Sequence, residues 1–112
     1  MNLESEIFSI ISNGGDARAI AYEALQLAYE KKFDLSKEKM NEAQNTLNKA
    51  HNTQTKLIQA ELNNEKIDMS LLLVHAQDHL MTAISEMSLI EQMIKILERI
   101  DKLEQMVNPG GK

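Results

Sequence analysis

Along the first quarter of the chain, Leu3, Ile7, Ile10, Gly14, Ala17, Ala21, Ala24 and Ala28 recur at spacings of three and four, which gathers them on one stripe of a helix. The second half of that stripe consists of small residues, so a neighbouring helix can approach closely, as in a tightly packed bundle. Gly14 and Gly15 interrupt it, at a cost of about 1 kcal/mol each relative to Ala if they stay helical. The pair predicts a kink or break, with Asp16 capping the helical segment beyond it. Phe33 and Asp34 close this first element, and Asp34 is the expected N-cap of a second. The second stripe, Met40, Ala43, Leu47, Ala50, Gln54 and Leu57, runs to about Leu62. Asn63-Asn64-Glu65-Lys66 then breaks the pattern, and either Asp68 or Ser70 can satisfy the first free amides of a third helix. Leu72, Ala76, Leu80, Ala83, Met87, Ile90, Ile94 and Leu97 form its main stripe, and Asn108-Pro109-Gly110-Gly111 stops it. Residues 1–107 are therefore expected to make one helical domain, with 108–112 a flexible tail.

Three long helices with short connections predict an all-α fold, an antiparallel up-down-up three-helix bundle. The third helix is apolar on more than one face, because Val74, Met81, Leu89, Met93, Ile96, Ile100 and Leu103 all lie off its main stripe. A lone bundle would expose them, and such a surplus points to a partner surface, most simply self-association. The alternative is a wide arc buried inside the monomer.

Composition narrows the classes. A chain of 112 residues suits a single domain with a modest core. The absence of cysteine removes disulfides, thiolate ligands and cysteine nucleophiles, and makes a cytoplasmic address the natural expectation. The longest apolar run, Leu71 to Val74, is far too short to cross a bilayer, and Met1 to Glu6 has no basic stretch of the kind that opens a leader. A net charge of −5 with interspersed signs argues against nucleic acid as a partner. Few aromatics and a vocabulary of Ala, Leu, Ile, Met, Glu, Lys and Gln leave little with which to build a sheet.

The chemically unusual segment is Leu71 to Ile84, LLLVHAQDHLMTAI, in which two histidines and an aspartate stand among apolar residues. His75 and His79 fall one turn apart on one face, Asp78 lies three residues from His75, and Gln77 points away from His75. Asp78 has Val74 and Met81 at minus four and plus three, so its carboxylate projects from an apolar stripe and would need a cation, hydrogen bonds or protonation if buried. The plain reading is a histidine that ties two helices together and an acid that faces solvent. A metalloprotease helix reads H-E-x-x-H, and the place of its general base is held here by Ala76. His51, among Asn and Lys in the second helix, reads as solvent-facing, the third-helix Met residues as packing, and Arg18 as a residue whose facing spacing cannot fix.

The run VHAQDHLMTA resembles the signature of the IIA components of the lactose/cellobiose family of the sugar phosphotransferase system, and IFSIISNGGDARAIAYEAL, Ile7 to Leu25, resembles their opening helix with its glycine pair. The similarity extends from Met1 to about Met106. It implies a homotrimer of three-helix bundles. Its phosphocarrier would accept phosphate on His75 from the phosphohistidine of HPr and pass it to a cysteine of a IIB component, which phosphorylates a disaccharide of the cellobiose, lactose or chitobiose type brought in by the IIC permease. It further implies that Asp78 meets its two symmetry mates around a divalent cation such as Mg²⁺, and that His79 supports His75. The competing expectations are an adaptor bundle with incidental histidines and a two-component histidine phosphotransfer domain. The latter usually carries H-x-x-K-G, where this chain has Asp78 and His79.

Overall fold

Side-chain capping begins the first helix. The Asn2 carboxamide oxygen accepts from the Ser5 N–H at 3.1 Å, and Glu4 and Glu6 lie in the first turn, where the helix dipole favours negative charge. The computed structural model describes residues 2–110, and these form three α-helices and no strand: α1, Leu3–Tyr29; α2, Phe33–Leu62; and α3, Leu71–Val107. Asn108 to Gly110 lie beyond the last helix, while Gly111 and Lys112, the end of the expected tail, lie outside the described residues.

The expected break at the glycine pair does not occur, because α1 is continuous and Asp16 stands exposed in its middle, capping nothing. The stripe keeps its phase across the glycines: Ile7, Ile10, Gly14, Ala17, Ala21, Ala24 and Ala28 are all buried, so a kink would pull one half of the stripe out of the core. The helix ends earlier than its pattern predicts. Lys31 adopts a left-handed φ of 64°, and the amides of Lys31 and Lys32 donate to the carbonyls of Ala28 and Leu27. This is the reciprocal pairing that closes a Schellman turn. Asn64, φ 66°, closes α2 the same way, with Asn64 and Glu65 donating to Glu61 and Ala60.

Lys32, and not Asp34, is the N-cap of α2, and no side chain caps it; Asp34 sits inside the first turn, where its charge suits the dipole. Near the start of α2, Ser36 is fully buried, and its hydroxyl donates to the Ala24 carbonyl at 2.7 Å. Of the two candidates for the third cap, Ser70 is used: its hydroxyl accepts from the Leu73 N–H at 3.1 Å.

The core places the small face of α1 against larger residues of its neighbours, among them Leu47 and Leu57 of α2 and Leu80, Met87 and Ile90 of α3. Met40, Leu72 and Leu97 are only partly buried at its margin. Gln54, on the expected α2 stripe, is half-buried and donates to the Gln77 side chain, which gives each amide a partner. α1 is the middle member and packs against both other helices, whereas α2 and α3 meet at few points. Polar ties join Glu6 to Lys56, Glu23 to Lys39, and Lys31 to Asp101.

The molecule measures 65 × 21 × 17 Å, and its radius of gyration of 18.3 Å exceeds the roughly 13 Å of a compact globule of this length. Its apolar surplus stays uncovered: Val74, Met81, Leu89, Met93, Ile96, Ile100 and Leu103 are each between 45% and 59% exposed. A wide arc buried within the monomer is therefore not how this chain uses α3.

Candidate functional site

The seam between α1 and α3 carries the polar groups that the hydrophobic pattern leaves over. His75, His79, Thr82 and Glu86 recur at four, three and four along one face of α3. Opposite them, Gly14, Arg18 and Tyr22 recur at four along α1.

The glycine pair makes room for His79. A methyl group added at Gly14 would lie 3.4 Å from the His79 Nδ1, and one at Gly15 would lie 3.7 Å from its Cε1. The ring therefore lies directly on the α1 backbone, an approach that bulkier side chains would block. Its Nδ1 is buried and has no hydrogen-bond partner among the described residues. Nε2 is therefore the ring nitrogen left open to a partner outside the ring's own packing, and it donates when it carries the hydrogen.

One turn earlier, His75 is exposed, with its ring edge-on to His79 at a centroid separation of 6.0 Å and an interplanar angle of 70°. It borders an open depression with Leu71 and Leu72. An imidazole at this lip can be reached from solvent and by another protein.

Asp78 is exposed, so its carboxylate needs no compensation within a single chain. Val74 and Met81, which flank it in the helical pattern, are exposed, which places Asp78 on the uncovered side of α3. Among the described residues no three His, Cys, Asp or Glu side chains gather as ligands for a metal ion. Asp78 alone gives one hard oxygen donor group, suited to a cation such as Mg²⁺ only if other donors come from outside the chain. His51 is exposed on α2, as its surroundings predict.

Three residues that spacing alone does not single out, Arg18, Tyr22 and Glu86, complete the seam. The Arg18 guanidinium donates to Glu86 through Nε and, at 2.8 Å, through Nη2, while the Tyr22 hydroxyl donates to the same carboxylate at 3.2 Å. The hydrogen bonds from Arg18 hold the Glu86 carboxyl below its ordinary range, with a smaller contribution in the same direction from Tyr22; burial opposes them. Reciprocally, the bond to Glu86 raises Arg18. A sequence signal existed for Glu86, which lies seven residues after His79 on the same helical face, but its partner is 68 positions away.

The chain is similar to several known proteins. The family described as "PTS system, Lactose/Cellobiose specific IIA subunit" matches residues 5–98. The N,N'-diacetylchitobiose-specific EIIA component of Escherichia coli K12 is 42% identical over 98 residues, spanning 88% of this chain and 84% of that protein. The lichenan-specific phosphotransferase enzyme IIA component of Bacillus subtilis is 43% identical over 102 residues, spanning 89% and 93%. Among solved structures, the cellobiose-specific enzyme IIA of Bacillus anthracis superposes with a TM-score of 0.87 at 41% identity, covering 91% of this chain and 94% of that one. A chain in the solution structure of the IIA(chitobiose)–HPr complex of Escherichia coli superposes with a TM-score of 0.79 at 40% identity, covering 90% and 98%.

Proposed function

The chain belongs to the lactose/cellobiose-specific IIA family of the sugar phosphotransferase system, and on that premise we propose that it is a cytoplasmic phosphocarrier whose phosphoryl group rides on His75. The observation that carries this reading is the position of His75: exposed at the lip of the α1–α3 seam, with a second imidazole one turn away. Donor and acceptor proteins must reach the same nitrogen in turn, and an exposed ring permits both encounters.

In the first transfer a ring nitrogen of neutral His75 attacks the phosphorus of phosphohistidine on HPr. The new N–P bond forms as the donor's N–P bond breaks, and no general base is required. In the second, a thiolate of the IIB component takes the phosphoryl group and His75 leaves as neutral imidazole, ready for another cycle. His79 supports both steps by donating Nε2–H to a phosphoryl oxygen, with its ring fixed by contact with Gly14 and Gly15. HPr as donor is supported by the complex in which a similar IIA chain was solved. The sugar is a disaccharide of the cellobiose, lactose or chitobiose type, handled by IIB with the IIC permease; the named relatives include chitobiose-, lichenan- and lactose-specific components. A cytoplasmic address agrees with the finding that no helix among the described residues is long and apolar enough to cross a membrane.

The functional unit in this reading is a homotrimer of up-down-up bundles. The descending pairs Ala24 with Ser36, Glu23 with Lys39 and Glu6 with Lys56 support α2 running against α1. The ascending pairs Arg18 with Glu86 and Lys31 with Asp101 support α3 running with it. The uncovered apolar side of α3 supports association through that helix, where three Asp78 carboxylates would converge and a shared Mg²⁺ would offset their repulsion.

The test is phosphorylation by phosphoenolpyruvate with enzyme I and HPr. One acid-labile phosphate per chain is expected in the wild type and none in His75→Ala. Stable labelling of the His75→Ala protein would overturn the assignment.

A further inference from the structure

We propose that Arg18 is a phosphoryl ligand held in reserve by Glu86: when His75 carries a phosphoryl group, the guanidinium leaves the carboxylate and takes phosphoryl oxygens instead. This rests on the phosphocarrier reading of His75 and deepens it.

A phosphorylated His75 brings negative charge to a seam that has few cations to receive it. Arg18 is the only basic residue in α1, and α3 has no Lys or Arg before Lys95, which lies 20 residues or about 30 Å along the helix from His75. Arg18 sits one turn beyond Gly14, on the α1 face against which the His79 ring lies. Its level along the seam falls between the His79 ring, which lies against Gly14, and Glu86, to which it is bound. The side chain is 42% exposed, so it can change partner without opening the core. Glu86 binds it through two N–H groups in a fork geometry that phosphate oxygens match equally well. The carboxylate would not be stranded by the exchange, because the Tyr22 hydroxyl already donates to it. No covalent bond to Arg18 forms or breaks and no proton moves; one oxyanion replaces another.

A purely structural ion pair makes a different prediction, and the two halves of the pair separate the readings. Each full-length variant is mixed with phospho-HPr, and the equilibrium partition of phosphate between the two proteins is read by ³¹P NMR. Arg18→Gln should shift the partition toward HPr by about tenfold, the worth of one charged hydrogen bond. Glu86→Gln, which frees the guanidinium, should shift it the opposite way, and Arg18→Lys should recover part of the loss. The double variant should fall with Arg18→Gln, because releasing Arg18 has no value once it is gone. Thermal melting of every variant reports folding, and a tie between helices would lower it in both single variants alike. Shifts of the same sign in Arg18→Gln and Glu86→Gln, or none, in proteins that still accept phosphate would overturn the proposal while leaving His75 as the carrier. A gain from Glu86→Gln that persists in the double variant would also overturn it, assigning the effect to removal of a negative charge. A wild type that takes no phosphate from phospho-HPr would instead remove the carrier reading itself.

Discussion

Gly14 and Gly15 are the residues at which local preference and tertiary packing disagree, and packing prevails. Each costs the helix about 1 kcal/mol relative to Ala, yet together they let the His79 ring rest on the backbone of α1. The two positions differ in how much room remains. At Gly15 a methyl group would make ordinary contact with the ring, at 3.7 Å. Gly15→Ala should therefore raise stability by roughly 0.5–1 kcal/mol, seen as a higher urea midpoint with an unchanged slope. Gly14→Leu should expel the ring, lowering the midpoint and moving the His79 imidazole resonances; an unmoved ring would show that the close approach does not govern its position. The same ring explains why the seam was only half legible. The two histidines announce themselves by spacing, but Nδ1 burial and the Arg18–Glu86 pair depend on which helices become neighbours.

At the scale of elements, the apolar periodicity was sufficient to place all three helices, because each stripe is long enough to decide its own phase. The ends were less legible. The α1–α2 turn is closed by a left-handed Lys31, a residue with no special preference for that region, and α2 starts without a side-chain cap. Neither feature leaves a compositional mark, so Asp34 looked like a better cap than it is. By contrast, Asn64 and Ser70 are residue types that favour the positions they occupy. Ser36 falls on an extension of the α2 stripe, four residues before Met40, and a buried hydroxyl there needs a partner. It finds the Ala24 carbonyl across the turn, tying the start of α2 to the end of α1. Ser36→Ala should cost about 1 kcal/mol, measured by chemical denaturation, with no effect on phosphate uptake because the site lies on another seam.

The whole molecule is a thin rod, and its dimensions leave α3 with more apolar surface than α1 alone can cover. Asp78 lies on that uncovered side, so a trimer would bring three carboxylates together where water is scarce. Asp78→Leu should then keep the assembly, or strengthen it, in the presence of a chelator, while His75 still accepts phosphate. Sedimentation at equilibrium checks this, and a variant that falls apart into monomers would count against the axial placement. Further along the same side, Leu89, Met93, Ile96, Ile100, Leu103 and Val107 follow one another in steps of four, three, four, three and four. Alternate members therefore recur every seven residues, two steps that fall slightly short of two full helical turns, so the stripe creeps around a straight helix by about 20° every seven residues. Copies of α3 that stay in register over this length must coil around one another with a left-handed sense. One residue inserted after Met93 would swing the distal half of the ridge by about 100°, enough to unzip the far end while the histidine end remains clasped.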